Sequence, residues 1–292
     1  MPSIAVIGPG AIGGTVAAWL TQNPANTVTV CVRTSFDRLV IDTPRGVITS
    51  TPTMLISPEQ AEPVDWILIA TKAYDIAAAV PWLPRLSGPE TRVAVLQNGV
   101  EHMERFCAIV PVSSLVPVVI DLPAERAAPG RVRQRRDGLL TVPDDANGQA
   151  FALLFDSAGL TVSTTPDFRS HAWRKLALNC AGAVSALVLK PAGIAGREPI
   201  AEIMRSLVRE CIAVGRAEGA ILDNDWMETV VRRYRDGPAD AINSLHADRL
   251  AGRRLEIDSR NGAVVRLGRR HGIATPVNTL IVTLLEATSD EG

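Results

Sequence analysis

The spacing of apolar positions changes once along this chain, and the change divides it into two regions. Up to about residue 166, short continuous apolar runs recur: Ile4–Ile7, Val28–Val32, Trp66–Thr71 and Val93–Leu96. Each is bounded by turn residues, the pattern of strands buried on both faces of a parallel sheet. Helical spacing lies between some of them, as at Asp75–Leu83. Val116–Ile120 and Leu139–Val142 predict strands joined by polar turns, added antiparallel at the end of the sheet, and Gln149–Ala158 predicts a helix. From about Asp167 the period is helical. His171–Leu189, Ile200–Glu218, Asp225–Asp236, Asn243–Ala251, Glu256–His271 and Val277–Ala287 are the candidate helices. Pro191, Gly193, Gly237-Pro238 and Thr275-Pro276 separate several of them.

The expected architecture is therefore α/β. The domain over 1–166, opened by a strand and the glycine turn Gly8-Pro-Gly10-Ala-Ile-Gly13, reads as a Rossmann-type dinucleotide-binding domain and precedes an all-α domain over 167–292, with the active site expected in the cleft between them. At 292 residues the chain exceeds one average domain, and no internal repeat or low-complexity segment interrupts it. Its net charge of −1 gives no reason to invoke a nucleic-acid partner. The basic run Arg131–Arg136 reads as a solvated hairpin edge. No apolar run reaches membrane-spanning length, and the first residues read as a core strand, not a signal peptide. Cys31, Cys107, Cys180 and Cys211 lack metal or redox spacing and read as reduced, mostly buried thiols, so the expected compartment is the cytoplasm.

The strongest local signal is Ser3–Gly14, SIAVIGPGAIGG. A strand runs into Gly8-Pro9-Gly10-Ala11-Ile12-Gly13, and a helical segment follows to Leu20. This is the G-x-G-x-x-G dinucleotide arrangement. Gly8 permits the tight turn, Gly10 the approach of backbone to a pyrophosphate, and Gly13 close helix–strand packing. The helix N-terminus then favours the diphosphate charge.

About twenty residues past the glycines, an acidic residue would bind the ribose 2′-hydroxyl of NAD. Arg33 stands there instead, and a guanidinium suits the 2′-phosphate of NADP. Arg33 could alternatively pair with Asp37. Lys72, just past the third strand, is placed either at the cofactor crevice or as a solvated loop lysine.

In the helical region, Lys175 and Asn179 lie four apart on one face of an otherwise apolar helix. Such a polar pair must reach solvent or enter a site, and on the pattern alone a snorkelling lysine is the better reading. Ser244 and Glu256 are twelve residues apart, roughly 18 Å along an unbroken helix. They share a small ligand only if the chain breaks, and Gly252-Arg253 is the natural place; on the pattern alone, capping or surface roles are the favoured reading. Asp248 and Asp258 read as caps or partners of nearby arginines, and His171, His246 and His271 as structural or solvated residues.

Taken together, GPGAIG, Ala70-Thr-Lys72-Ala, Gln97-Asn98-Gly99, Trp173-Arg-Lys175-Leu-Ala-Leu-Asn179, Ser244 with Leu255-Glu256-Ile-Asp258 and Asn261-Gly262, and Gly272-Ile-Ala-Thr-Pro276 resemble the ketopantoate reductase (2-dehydropantoate 2-reductase) family over nearly the whole chain. The resemblance implies NADPH-dependent reduction of a 2-oxo acid, with pantoate for pantothenate and coenzyme A synthesis as the leading product. It implies Lys175 as general acid and Glu256 as the carboxylate that binds the substrate hydroxyl. It also implies Asn98 at nicotinamide and substrate, Asn179 and Ser244 at substrate (Ser244 on its carboxylate), and Arg33 and Lys72 at the NADP phosphate. A homodimer is the candidate assembly. One position departs: Ala183 stands where these reductases often carry a second asparagine. That leaves a bulkier 2-oxo acid, as used by relatives resembling D-mandelate dehydrogenases, as the alternative substrate. A non-catalytic NADP-binding sensor is the alternative of a different class.

Overall fold

The computed structural model describes residues 1–156 and 158–288. The described residues form two compact units, one within 1–97 and 102–168, the other within 98–101 and 169–288.

In the first unit, Ser3–Ile7, Thr27–Cys31, Thr53–Leu55, Trp66–Ile69, Arg92–Val95 and Leu115–Pro117 form a six-stranded sheet, parallel at every pairing, with Ser3–Ile7 near its centre. Successive side chains of a strand point to opposite faces, so a fully buried strand serves two cores. Ile4 and Val6 pack into one with the helix Ala11–Leu20, while Ala5 and Ile7 pack into the other with Trp82, Leu86 and Phe106.

The antiparallel pairings expected at the end of this sheet lie elsewhere. Pro117 has no N–H to offer, and its strand closes the edge of the parallel sheet. The next strand, Val119–Asp121, leaves to pair antiparallel with Leu139–Pro143 in a separate three-stranded sheet. A four-stranded sheet holds the hairpins of Leu39–Thr43 with Gly46–Ser50 and of Ala124–Ala128 with Arg131–Gln134. Arg131–Gln134 is consequently not an edge, because it also pairs parallel with 40–42. Its Val132 and Gln134 are buried while Arg131 and Arg133 stay exposed.

Two helices differ from the sequence pattern for local reasons. Pro81 removes a backbone donor within 75–83 and Pro84 another just past it, and the segment folds as 3₁₀ turns (Ala73–Ala78, Val80–Trp82) and one α turn, Leu83–Leu86. Asp145 accepts from the Gly148 N–H at 2.8 Å, so that helix runs over Ala146–Leu153, earlier than expected.

The second unit is helical. Phe168–Val188 and Glu198–Ala217 bury Trp173, Leu176, Ala177, Cys180, Met204, Leu207 and Cys211 in a common core. Trp226–Arg235, Ser244–Leu250, Ala263–Arg270 and Pro276–Ala287 complete it. The expected helix over 256–271 begins instead as a π turn, Asp258–Gly262, in which the Gly262 N–H donates to the Ile257 carbonyl at 3.0 Å.

A buried polar relay fixes that turn. Glu210 accepts from the Val277 and Asn278 backbone N–H groups at the start of the last helix, and from the Asn278 amide at 2.7 Å. Asn278 Oδ1 accepts from Asn261, whose amide nitrogen also lies 3.3 Å from the Cys180 carbonyl. Asn278 is fully buried. Its replacement by alanine removes a charge-assisted bond and orphans its partners, and is expected to cost about 2–3 kcal/mol in chemical denaturation. The relay accounts for Asn261-Gly262 as a packing feature.

Candidate functional site

In the first unit the helix Ala11–Leu20 starts at Gly10 with no side-chain cap and no acidic residue in its first turn. Its leading N–H groups therefore have no side-chain acceptor, as an anion site at a helix N-terminus requires. The three glycines differ in what surrounds them. Gly8 has φ +83°, and a Cβ there would lie 3.0 Å from the Thr71 backbone nitrogen. A Cβ on Gly13 would stand 2.4 Å from the Gly8 carbonyl oxygen and 2.8 Å from the Ala70 Cβ. Gly10 is the opposite case: nothing lies within 4 Å of its Cβ position. Two glycines serve close packing and the third faces open space beside an uncapped helix start, which is a cradle that fits a dinucleotide pyrophosphate.

Arg33 follows the strand Thr27–Cys31 and is highly exposed, with its side chain 80% accessible. Its partner is Asp75, not Asp37. An exposed pair of this kind contributes little to stability, so the guanidinium can exchange it for another anion at small cost. Lys72 is partly buried and precedes the 3₁₀ turn Ala73–Ala78, past the end of the strand Trp66–Ile69. The Gln97 amide donates to the Thr71 carbonyl at 3.0 Å, and His102 Nε2 lies 2.8 Å from the Gln97 carbonyl, holding the end of the strand Arg92–Val95.

Asn98 opens the short segment that belongs to the second unit. Gly99 there has φ +119°, and a Cβ would approach the Ser259 carbonyl oxygen to 2.8 Å. Glu101 then takes a two-pronged bond from Arg266, at 3.0 and 2.7 Å, while Arg266 also reaches Asp258 at 2.7 Å. The bond to Glu101 above all, and that to Asp258, raise the Arg266 pKa further above its ordinary value. This clamp sets Asn98 beside the π turn, where its amide donates to Glu256 Oε2 at 3.3 Å.

The helix Ser244–Leu250 is capped by Asn243 and ends before Gly252, where the chain turns with φ +61°. The break returns the chain so that Arg260 bridges toward both residues. Its Nη2 donates to Ser244 Oγ at 2.8 Å and lies 4.0 Å from Glu256 Oε2. Glu256 and Arg260 are almost wholly buried, and Ser244 is exposed. Lys175 and Asn179 lie one turn apart, both partly buried, on the helix Phe168–Val188. That helix is tied to the same cluster. Asn243 Nδ2 donates to the Gly182 carbonyl at 2.8 Å, Tyr234 Oη donates to the Leu178 carbonyl at 3.0 Å, and Asn261 reaches Cys180. Burial pushes the Tyr234 phenol up to about 12, so it remains a neutral donor.

The candidates thus gather in two sets: the glycine turn, Arg33 and Lys72 in the first unit, and Asn98, Lys175, Asn179, Ser244 and Glu256 in the second. Sequence pattern missed Arg260, the Glu101–Arg266 clamp and His102. Of the other histidines, His271 pairs with Glu218, and burial lowers the pKa of His246. Asp248 pairs with Arg253 at 2.9 Å and Asp258 with Arg266. Among the described residues no group of three or more His, Cys, Asp or Glu could hold a metal ion, and no helix is long and apolar enough to cross a membrane.

Known proteins match both regions. Residues 4–147 match the family model Ketopantoate reductase PanE/ApbA, and residues 167–289 match its C-terminal counterpart. A 2-dehydropantoate 2-reductase of Caulobacter vibrioides is 57% identical over 289 residues, covering 99% of this chain and all of its own. A crystal structure of a PanE/ApbA family ketopantoate reductase from Ralstonia eutropha JMP134 superposes with a TM-score of 0.90 at 30% identity, covering 99% of each chain. A dimeric ketopantoate reductase from Staphylococcus aureus gives 0.87 at 25% identity, covering 98% of each. With both regions matched in order and relatives aligned end to end, the chain belongs to the ketopantoate reductase PanE/ApbA family.

Proposed function

We propose that the chain is a 2-dehydropantoate 2-reductase, reducing ketopantoate to (R)-pantoate with NADPH for pantothenate and coenzyme A synthesis. The observation that carries this reading is the full-length match at 57% identity to a protein of that activity. The cradle at Gly10 and the exposed guanidinium of Arg33 support the cofactor.

When bound, reduced nicotinamide supplies a hydride. The chain's own residues do the rest. Lys175 stabilises the negative charge that grows on the substrate carbonyl oxygen and gives it a proton. Glu256 accepts from the hydroxyl of the substrate and, through Asn98, orders the amide that faces the reacting groups. Asn179 and Ser244 bind substrate. The first-turn N–H groups after Gly10 hold the pyrophosphate, with Arg33 and Lys72 on the 2′-phosphate. The assembly we propose is a homodimer, as described for the Staphylococcus aureus relative, and the compartment is the cytoplasm, where the free thiols of Cys31, Cys107, Cys180 and Cys211 stay reduced.

Replacing Arg33 by alanine is expected to weaken NADPH binding about 10- to 100-fold, the value of a charged hydrogen bond, with NADH unchanged. Fluorescence titration with both cofactors measures this, and an equal loss for the two would remove Arg33 from the 2′-phosphate. The activity itself is tested by following NADPH oxidation with a panel of 2-oxo acids that includes ketopantoate and the bulkier phenylglyoxylate. Absence of turnover across the panel would instead favour a sensor.

A further inference from the structure

Arg260 has an environment that its present partners do not account for. Its side chain is only 2% exposed, and its Nε, buried, has no hydrogen-bond partner. Nη2 donates to Ser244 Oγ at 2.8 Å, and the Glu256 carboxylate stands back at 4.0 Å. Tyr234, half-buried nearby, remains a neutral phenol and supplies no charge. A buried guanidinium is costly without a close, well-hydrogen-bonded anion. Its planar fork matches a carboxylate by two parallel bonds, an arrangement that Glu256 at this distance does not complete. Ser244, which Arg260 contacts directly, is exposed, so the cluster is open to a small molecule from that side. Ala183, one turn beyond Asn179, carries no polar atom that could take over the task.

We infer that Arg260 is a substrate-binding residue, supplying with Ser244 the cationic half of the site that holds the carboxylate of a short 2-oxo acid. The inference rests on the reductase reading for the identity of that acid. The charge makes the site selective for the ionised acid over neutral derivatives of the same size.

The test uses the full-length enzyme with NADPH and compares ketopantoate with its neutral primary amide. Arg260→Gln is expected to lower kcat/KM for the acid about 100-fold, chiefly through KM, and to leave the amide within about threefold. Arg260→Lys should restore part of the acid's rate, because the charge returns without the fork. Far-ultraviolet circular dichroism and the thermal melt of both variants report whether the helical unit keeps its fold. Equal losses for acid and amide, or an unchanged KM for the acid, would overturn the assignment. If the native enzyme reduces no 2-oxo acid, the functional reading fails separately. Calorimetric titration of the NADP⁺-bound protein with the acid then decides on Arg260: loss of binding in Arg260→Gln upholds it, and unaltered binding refutes it.

Discussion

Replacing Lys175 by alanine is expected to lower kcat by about 10²- to 10⁴-fold, the usual contribution of one positioned acid with its charge stabilisation. Affinity for NADPH should remain within about threefold, because the residues assigned to the cofactor's phosphates belong to the first unit, whereas Lys175 belongs to the second. The helix should tolerate the change, since alanine is the best helix former and Lys175 is only partly buried. Lys175→Arg keeps the charge but not a proton that can be given up near neutral pH, so it should stay close to the alanine variant. Steady-state kinetics with a cofactor titration separates these contributions. Near-normal turnover in Lys175→Ala would remove the general-acid assignment.

The second large effect is expected at Glu256, in stability as well as activity. Glu256 and Arg260 are both buried, 4.0 Å apart, and Glu256 also accepts from Asn98. Glu256→Ala removes the anion, leaves the guanidinium uncompensated and frees the Asn98 amide. Breaking a buried pair from one side costs roughly 3 kcal/mol. Pairing Glu256→Ala with Arg260→Met should return part of that loss, because the orphaned charge leaves as well. A double-mutant cycle in urea measures the coupling, and strict additivity would show that the two charges do not sense one another. Glu256→Gln keeps shape and the bond from Asn98, so it should lose turnover more than stability.

Sequence pattern exposed the parts of the fold whose chemistry is local. The strands Ser3–Ile7 and Trp66–Ile69 are continuous apolar runs because both faces are buried, and Gly8, Gly10 and Gly13 gain their meaning from the strand before them and the helix after them. The hairpins gave weaker signals. Ala124–Ala128 reads AERAA, with no β-branched residue, and is a strand because Arg131–Gln134 pairs with it. The site shows the same division. Lys175 and Asn179 on one face of an apolar helix were visible as a polar pair in the wrong place for a core.

Arg260 was not visible. It is one of several arginines between Arg253 and Arg270, and nothing in their spacing shows which is buried. The π turn makes the difference, since one extra residue shifts the helical phase by roughly 100° and carries Arg260 inward to Ser244. Glu101 and Arg266 are similarly distant in sequence, and only the fold joins them into the clamp that sets Asn98.

The most direct measurement is the initial rate of NADPH oxidation by the purified protein with ketopantoate, set beside NADH as cofactor and phenylglyoxylate as substrate. The account predicts saturable turnover of ketopantoate, a kcat/KM for NADPH that exceeds NADH by about tenfold or more, and a preference for ketopantoate over the aromatic acid. No turnover of ketopantoate with either cofactor would contradict it.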